Sequence, residues 1–239
     1  MAPSVPRGAR PAAAPLALVV AALSAVTACG GSAKNGAGSA PPVISTPVSH
    51  ATTDSRVAQV LTKAQSTLAA DTSYRFDATE SVAAKTPVTT HLVGAVVRNQ
   101  GVSYTLTVGR TTTQVVRITT ATYVRKVPGR WARLKTPRTI ADPTSSLLAV
   151  LRGLGGATVA SADATSTTLA GTLSATAATA AGIPVNGEPA QVTVTVDPAG
   201  HVTRLTVHTS TQAGTTPVAV TLVTSYSAFG RVPALRRPV

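Results

Sequence analysis

The sequence predicts an α+β fold built on one antiparallel sheet of about eleven strands. Three observations lead there. Apolar residues recur every three or four positions in only two long stretches; elsewhere they alternate with polar ones. The alternating segments also follow one another too closely for helical crossovers, so neighbours must pair antiparallel.

The first helix is expected over residues 54–70, where Val57, Val60, Leu61, Ala64 and Leu68 share one face. Thr53 or Asp54 supplies an N-cap. At 1.5 Å per residue this helix is about 25 Å long, enough to lie across a sheet. Lys63, Gln65 and Thr67 then face water or lipid head groups.

After Asp71 the period changes to two. Tyr74, Phe76 and Ala78 alternate with Arg75, Asp77 and Thr79, the pattern of a half-buried strand. A strand over 88–98 follows, then a turn at Asn99-Gln100-Gly101. Next, Val102, Tyr104, Leu106 and Val108 alternate with Ser103, Thr105 and Thr107. Further strands are expected at 114–119, 121–127 and 130–135, the last two joined by a Pro128-Gly129 turn.

Asp142-Pro143 opens a second helix, with Asp as N-cap and Pro at the first helical position. Leu147, Leu148, Leu151 and Leu154 form its apolar side, and Gly153, Gly155 and Gly156 end it. Its other face is Thr and Ser, so it is either buried between sheet and loop or lines an apolar cavity. Residues 158–162 and 167–173 read as a hairpin and 176–182 as a short helix. Strands at 191–197, 201–209 and 217–226 complete the count. Between the first two of these, Asp197-Pro198-Ala199-Gly200 is a turn in which Pro sets φ and Gly suits the fourth position.

The N-terminus sets the compartment. Arg7 and Arg10, an uncharged apolar run over 16–22 and the small residues Thr27 and Ala28 make up a secretory signal over 1–28. The apolar run is too short to span a bilayer as a helix. Val26-Thr27-Ala28-Cys29 resembles the bacterial lipobox, in which the cysteine sulfur is diacylated and the chain is cut just before it. Cys29 is the only cysteine in the chain. It is therefore the expected lipid anchor, on the outer face of the cytoplasmic membrane. Residues 29–53, rich in Gly, Ser, Ala, Pro and Thr, read as a flexible tether, and 54–239 as the folded domain. With one cysteine no internal disulfide forms, so packing alone holds that domain together.

Removing the signal takes two arginines and no acids, so the net charge falls from +13 to +11. Aromatic residues are only 3% of the chain, too few for the stacking platforms that bind bases, so nucleic acid is not the expected partner. An anionic membrane surface is, since each Lys or Arg near it contributes about 1 kcal/mol. Arg125, Lys126, Arg130, Arg133, Lys135 and Arg138 cluster without an intervening acid around the sole tryptophan, Trp131. On a strand, Trp131, Arg133 and Lys135 share one face and Ala132 and Leu134 the other. The cluster is either a contact surface for anionic lipid or lipoglycan head groups or a solvated sheet face.

Catalytic patterns are missing. The histidines His50, His91, His201 and His208 are scattered, and His201 and His208 point to opposite faces of a strand. The eight acids are dispersed; Asp54, Asp142 and Asp197 have cap or turn roles, and the odd spacing of Asp77 and Glu80 separates them across a strand. There is no G-x-S-x-G elbow, and Gly153-Leu154-Gly155-Gly156 follows a helix instead of a strand, unlike a phosphate loop. No enzyme, cofactor or metal site is expected.

Several segments, in order, resemble the LppX/LprG (LppX_LprAFG) lipoprotein family of mycobacteria and relatives. They are Thr72-Ser73-Tyr74-Arg75-Phe76, Tyr123-Val124-Arg125-Lys126 with Gly129-Arg130-Trp131-Ala132-Arg133-Leu134, and Asp142-Pro143-Thr144-Ser145-Ser146-Leu147-Leu148. Val194-Thr195-Val196-Asp197-Pro198-Ala199-Gly200-His201-Val202-Thr203-Arg204-Leu205 and Tyr226-Ser227-Ala228-Phe229-Gly230 complete the set. The resemblance implies a LolA-like fold: a curved antiparallel sheet forming an open half-barrel, with helices covering its concave face and an apolar cavity between. It also implies binding or transport of acylated lipids and glycolipids, with an envelope transporter as a possible further partner.

On that reading the cavity is lined by Leu61, Tyr104, Leu106, Leu147, Leu148, Leu151, Val194, Leu205 and Leu222, and Arg125, Lys126, Arg130, Trp131, Arg133 and Lys135 meet head groups or the membrane. The rival reading is a structural or sensory interaction module of the envelope with a filled core. A third, an envelope hydrolase, requires carboxylates or a Ser/His pair converging in one cleft.

Overall fold

A computed structural model describes residues 50–84, 86–135, 142–213 and 216–238. The signal, Cys29, most of the tether and Arg138 lie outside the described residues. The chain runs α1 (His50–Ala70), β1 (Ser73–Ala83), β2 (Val88–Val97), β3 (Gly101–Val108), β4 (Thr111–Ile118), β5 (Ala121–Val127), β6 (Ala132–Arg133) and α2 (Pro143–Gly153). It continues through β7 (Leu154–Ala162), β8 (Thr167–Leu173), α3 (Ala175–Ala180), β9 (Ala190–Val196), β10 (Val202–Ala213) and β11 (Thr216–Ser227).

The eleven strands form one antiparallel sheet in the order β6-β5-β4-β3-β2-β1-β11-β10-β9-β8-β7. Two meanders, β1–β6 and β7–β11, are joined where the first strand pairs with the last, from Arg75 opposite Ser227 to Ala83 opposite Ala219. The sheet does not close on itself; it is the curved half-barrel expected, with β6 and β7 as its edges.

Register sorts the side chains. Phe76 is opposite Gly94 and Tyr226, Ala78 opposite Leu92 and Thr224, and Leu205 opposite Val194 and Thr224. These positions share the concave face, since directly paired residues point the same way. Val57, Ala64 and Leu68 of α1 and Leu147, Val150 and Leu151 of α2 are buried with them in one core. Among the described residues no helix is long and apolar enough to cross a membrane.

Gly94 shows how tightly that face is filled. A Cβ there would sit 2.4 Å from the Ser103 carbonyl oxygen, 2.6 Å from Cζ of Phe76 and 2.7 Å from Cβ of Tyr104. Only glycine lets both aromatic side chains close over the strand.

Helix α1 docks by its C-terminal half. The Arg98 guanidinium donates to the Leu68 carbonyl at 2.9 Å and to that of Ala69, orphan acceptors of the last turn. Lys63 Nζ donates to the Pro198 carbonyl, Thr67 Oγ1 to that of Ala199 at 3.3 Å, and Gln65 Nε2 to that of Leu151 at 3.3 Å. These three side chains therefore tie the helix to the β9–β10 turn and to α2; Lys63 stays exposed as its spacing implied, while Gln65 and Thr67 are half-buried. Gly200 takes φ +99° in that turn and lies directly under Thr67 and Lys63. Beside it His201 Nδ1 is 3.1 Å from Asp197, its Nε2 is 3.6 Å from Asp71, and its ring stacks on Phe229 at 4.2 Å.

Several element boundaries differ from the sequence reading. Helix α1 starts at His50, so Thr53 and Asp54 lie inside it and not at its N-cap position. The strand expected at 130–135 shrinks to Ala132–Arg133, because it is an edge strand that pairs only with Tyr123 and Val124. Gly155 and Gly156 belong to β7, which begins at Leu154 directly after α2; the pairing slips between Gly155 and Thr158, and Gly156 takes φ +57°. Glycine accommodates such an irregularity as readily as a helix stop. Asp142 caps α2 as expected, accepting from the Thr144 and Ser145 amides at 3.3 and 3.2 Å.

Gly94→Ala should lower unfolding stability by about 2 kcal/mol or more, since backbone blocks the new methyl. Gly155→Ala, whose Cβ meets its nearest atom at 3.7 Å, should be close to neutral. Urea denaturation of the two variants tests the contrast.

Candidate functional site

Helix α2 lies over the seam between the two meanders, and its two sides border different spaces. Pro143, Ser146, Leu147 and Val150 roof an apolar slot whose floor is Phe76, Ala78 and Glu80 of β1, Thr90 and Leu92 of β2, Leu205 of β10 and Leu222, Thr224 and Tyr226 of β11. Ala181, Gly182 and Ile183, just after α3, close one side. The slot's volume is about 80 Å³. That is smaller than the roughly 150 Å³ apolar cavity that accepts benzene. An acyl chain therefore fits only if α2 or the segment after α3 shifts outward.

The other side of α2, Asp142, Thr144, Ser145 and Leu148, borders a polar cleft of about 490 Å³. Asp71, Tyr74, Arg98, Asn99, Gln100, Arg117 and Thr119 complete it. Tyr74 lines the cleft and Tyr226 the slot, and the two rings meet edge to face at 5.9 Å. One aromatic contact thus separates an apolar space from a polar one. Tyr74 Oη is 3.0 Å from Thr144 Oγ1, which pins α2 at this point. Burial keeps both tyrosine hydroxyls neutral, pushing each well above the usual phenol range.

The residues expected to line one cavity are distributed over several places. Leu147, Leu205 and Leu222 are in the slot wall. Leu151 and Val194 are fully buried in the adjoining core, and Leu61 and Leu106 are half-buried against it. Tyr104 is buried on β3, beyond Leu92, and burial pushes its hydroxyl up to about 12. Leu148 is on the cleft side of α2. Phe76, Glu80, Leu92, Val150, Ile183 and Tyr226 were not anticipated. Phe76 and Glu80 were readable from the even-numbered inward pattern of β1; Ile183 gave no signal.

The basic cluster is divided by the sheet. Arg125 lies on the convex face, where its Nε donates to Gln114 at 3.0 Å and its guanidinium stacks over Trp131 at 4.9 Å. Trp131 borders a groove of about 460 Å³ walled on its other side by Val232, Pro233, Ala234, Leu235 and Arg236 of the C-terminal segment. That segment is held by the Val232 amide on Ser73 Oγ at 3.1 Å and the Leu235 amide on Gln100 Oε1 at 2.9 Å. Arg133, opposite Tyr123, points to the same face, whereas Lys126, opposite Thr113, points to the other. Arg130 and Lys135 flank β6 and are exposed.

No set of three metal-ligating side chains converges among the described residues. Asp77 and Glu80 do point to opposite faces: Asp77 is exposed and 2.8 Å from His91, while Glu80 points into the slot.

The half-barrel with helices in its hollow is the fold of two mycobacterial proteins of known structure. LprF from Mycobacterium bovis superposes with a TM-score of 0.54 over 78% of this chain and 98% of its own, at 14% identity. The Mycobacterium tuberculosis lipoprotein LppX gives 0.50 over 76% and 99%, at 13% identity. Neither family models nor curated protein sequences match the chain. The likeness that the sequence motifs suggested is thus present in the fold.

Glu80 is the one group of the slot whose ionisation changes near neutral pH. Burial pushes its pKa up to about 7 from the ordinary 4.5. A group whose folded pKa is raised favours the folded state below its unfolded pKa and loses that contribution as pH rises through the folded value. Melting temperature should therefore fall between about pH 5 and 8, and Glu80→Gln should flatten that slope; thermal melts across this range provide the check.

Proposed function

We propose that this is an exported, lipid-anchored envelope protein that binds an acylated lipid or lipoglycan and helps transport or display it. The slot under α2 is the observation that carries this reading: an apolar space at a seam, one aromatic contact from a polar cleft. An acyl tail would fill the slot, widened by outward movement of α2, and the polar head would occupy the cleft beside Arg98, Gln100 and Arg117. Burial of acyl surface contributes roughly 25 cal/mol per Å², enough for a modest length of chain to hold. The lipobox at Cys29, the signal over 1–28 and the tether support the location, and the LppX structure, itself a lipoprotein, supports the reading by its fold. No covalent chemistry is assigned.

Arg125, Lys126, Arg130, Trp131, Arg133 and Lys135 would approach the anionic membrane surface from the β5–β6 edge. A second reading, a non-catalytic interaction module, draws on the small volume of the slot. Native mass spectrometry of the chain lacking its anchor, purified from membranes, separates the two: bound acyl lipid supports the carrier, and bare protein that also refuses lipid from labelled vesicles supports the module.

Leu222→Trp, which fills the slot from its partly exposed floor, should cut lipid retention at least about tenfold while the protein remains folded by circular dichroism. Unchanged retention in the folded variant would remove the slot from consideration. Reversing Arg130 and Lys135 to Glu should weaken binding to anionic vesicles about tenfold or more at low salt, and the effect should fade at high salt. Vesicle co-sedimentation measures it.

A further inference from the structure

Among the residues that line the slot, one is a carboxylic acid: Glu80. Its place is set by register, since Glu80 is opposite Thr90 on β2 and Leu222 on β11, both also slot residues. Phe76 and Ala78 precede it on the same strand face, and Leu92 faces Ala78. Pro143 and Ser146 approach from α2, and Ala181, Gly182 and Ile183 from the segment after α3. None of these facing residues carries a charge. The carboxyl has no hydrogen-bond or ion-pair partner among the described residues, and burial alone accounts for its altered acidity.

A lone carboxyl in such a wall lowers stability, because a half-buried charge loses hydration and gains nothing in return. Leucine or threonine at this position would complete the apolar floor. A group that arrives with the ligand removes the deficit. Resting on the lipid-binding reading above, we propose that Glu80 is a specificity residue which hydrogen-bonds a hydroxyl group carried by the acyl ligand inside the slot.

The chemistry selects among head groups. A hydroxyl both donates and accepts, so it pairs with the carboxylate and with the protonated acid alike, and both forms are populated near neutral pH. A carboxylate or phosphate ester in the same place would put two anions in an apolar wall without a counter-charge. An ammonium would pair with the carboxylate, but its own desolvation is far larger than that of a hydroxyl. A plain hydrocarbon leaves Glu80 as bare as before. The slot thus prefers a hydroxylated acyl chain, or an acyl lipid with a free neutral hydroxyl near the chain, over a fatty-acid anion.

The test uses the full chain in membranes and three photoreactive octadecyl probes that differ only at one end: an alcohol, a carboxylic acid and a headless alkane. After illumination at pH 8, adducts on β1, β2 and β11 are quantified by peptide mass spectrometry. The alcohol should label these strands at least about tenfold more than the acid, the discrimination that one charge-assisted hydrogen bond supplies. Glu80→Leu should bring alcohol labelling down to the level of the alkane. Glu80→Gln, nearly the same shape and still able to pair with a hydroxyl, should keep alcohol labelling and narrow the gap to the acid. Equal slot labelling by all three probes in the wild-type chain overturns the role of Glu80 and leaves lipid binding in place. No slot adducts with any probe overturns both.

Discussion

The pairing of β1 with β11 governs most of what is distinctive in this molecule. Without it the chain would make two separate meanders, each with an unpaired edge and half an apolar surface. With it, residues from both ends of the domain share one concave face, and that face is too broad for a single helix to cover. Helix α1 covers it from the end preceding β1. Helix α2, which follows β6 and leads into β7, falls across the seam. The slot lies there because the strands bordering it, β1, β2, β10 and β11, are those on either side of the junction.

Polar chemistry is kept to the ends of this arrangement. Asp71, just past α1, has its carboxyl raised mainly by burial, with the charges of His201 and Arg98 opposing, and its Oδ2 has no partner among the described residues. Asp197 is also partly desolvated, yet hydrogen bonds from the His201 amide and ring and the Gly200 amide outweigh this and hold its carboxyl below the ordinary range. Together they lock the end of α1, the β9–β10 turn and Phe229 into one unit. Helix α2 is held by the Tyr74 bond to Thr144 on its cleft side and by the Gln65 bond to the Leu151 carbonyl. Small side chains such as Ala78, Thr90, Ala181 and Thr224 line the slot on the other side of α2.

Much of this was legible in the residues. The alternation in Tyr74, Phe76 and Ala78 and in Val102, Tyr104 and Leu106 told which side of each strand is buried. Asp142-Pro143 marked the start of α2. The failures have physical causes. Glycine signals a helix stop and a strand irregularity equally, so the pattern around Gly155 and Gly156 does not by itself reveal that they belong to β7. Thr67 looks like a solvent-facing helix position until the turn at Pro198 and Ala199 is brought against it from the far end of the chain, and Lys63, though exposed, bonds to the same turn. Leu147 and Leu148 are neighbours on an apolar helix, and their separation into slot and cleft depends on how α2 is rotated about its axis.

The sequence by itself determined the class of fold, the number of strands and the inward face of most of them, because side-chain direction along a strand or helix is a local property of two or four residues. The likeness of Val26-Thr27-Ala28-Cys29 to a lipobox is local in the same way. Only the tertiary structure decided that β1 and β11 are neighbours, that α2 bridges the seam, and that Glu80 points into apolar space with no partner among the described residues. Those facts rest on pairing and packing between residues far apart in the chain, where many registers satisfy the same alternation and the closure of the whole core selects one.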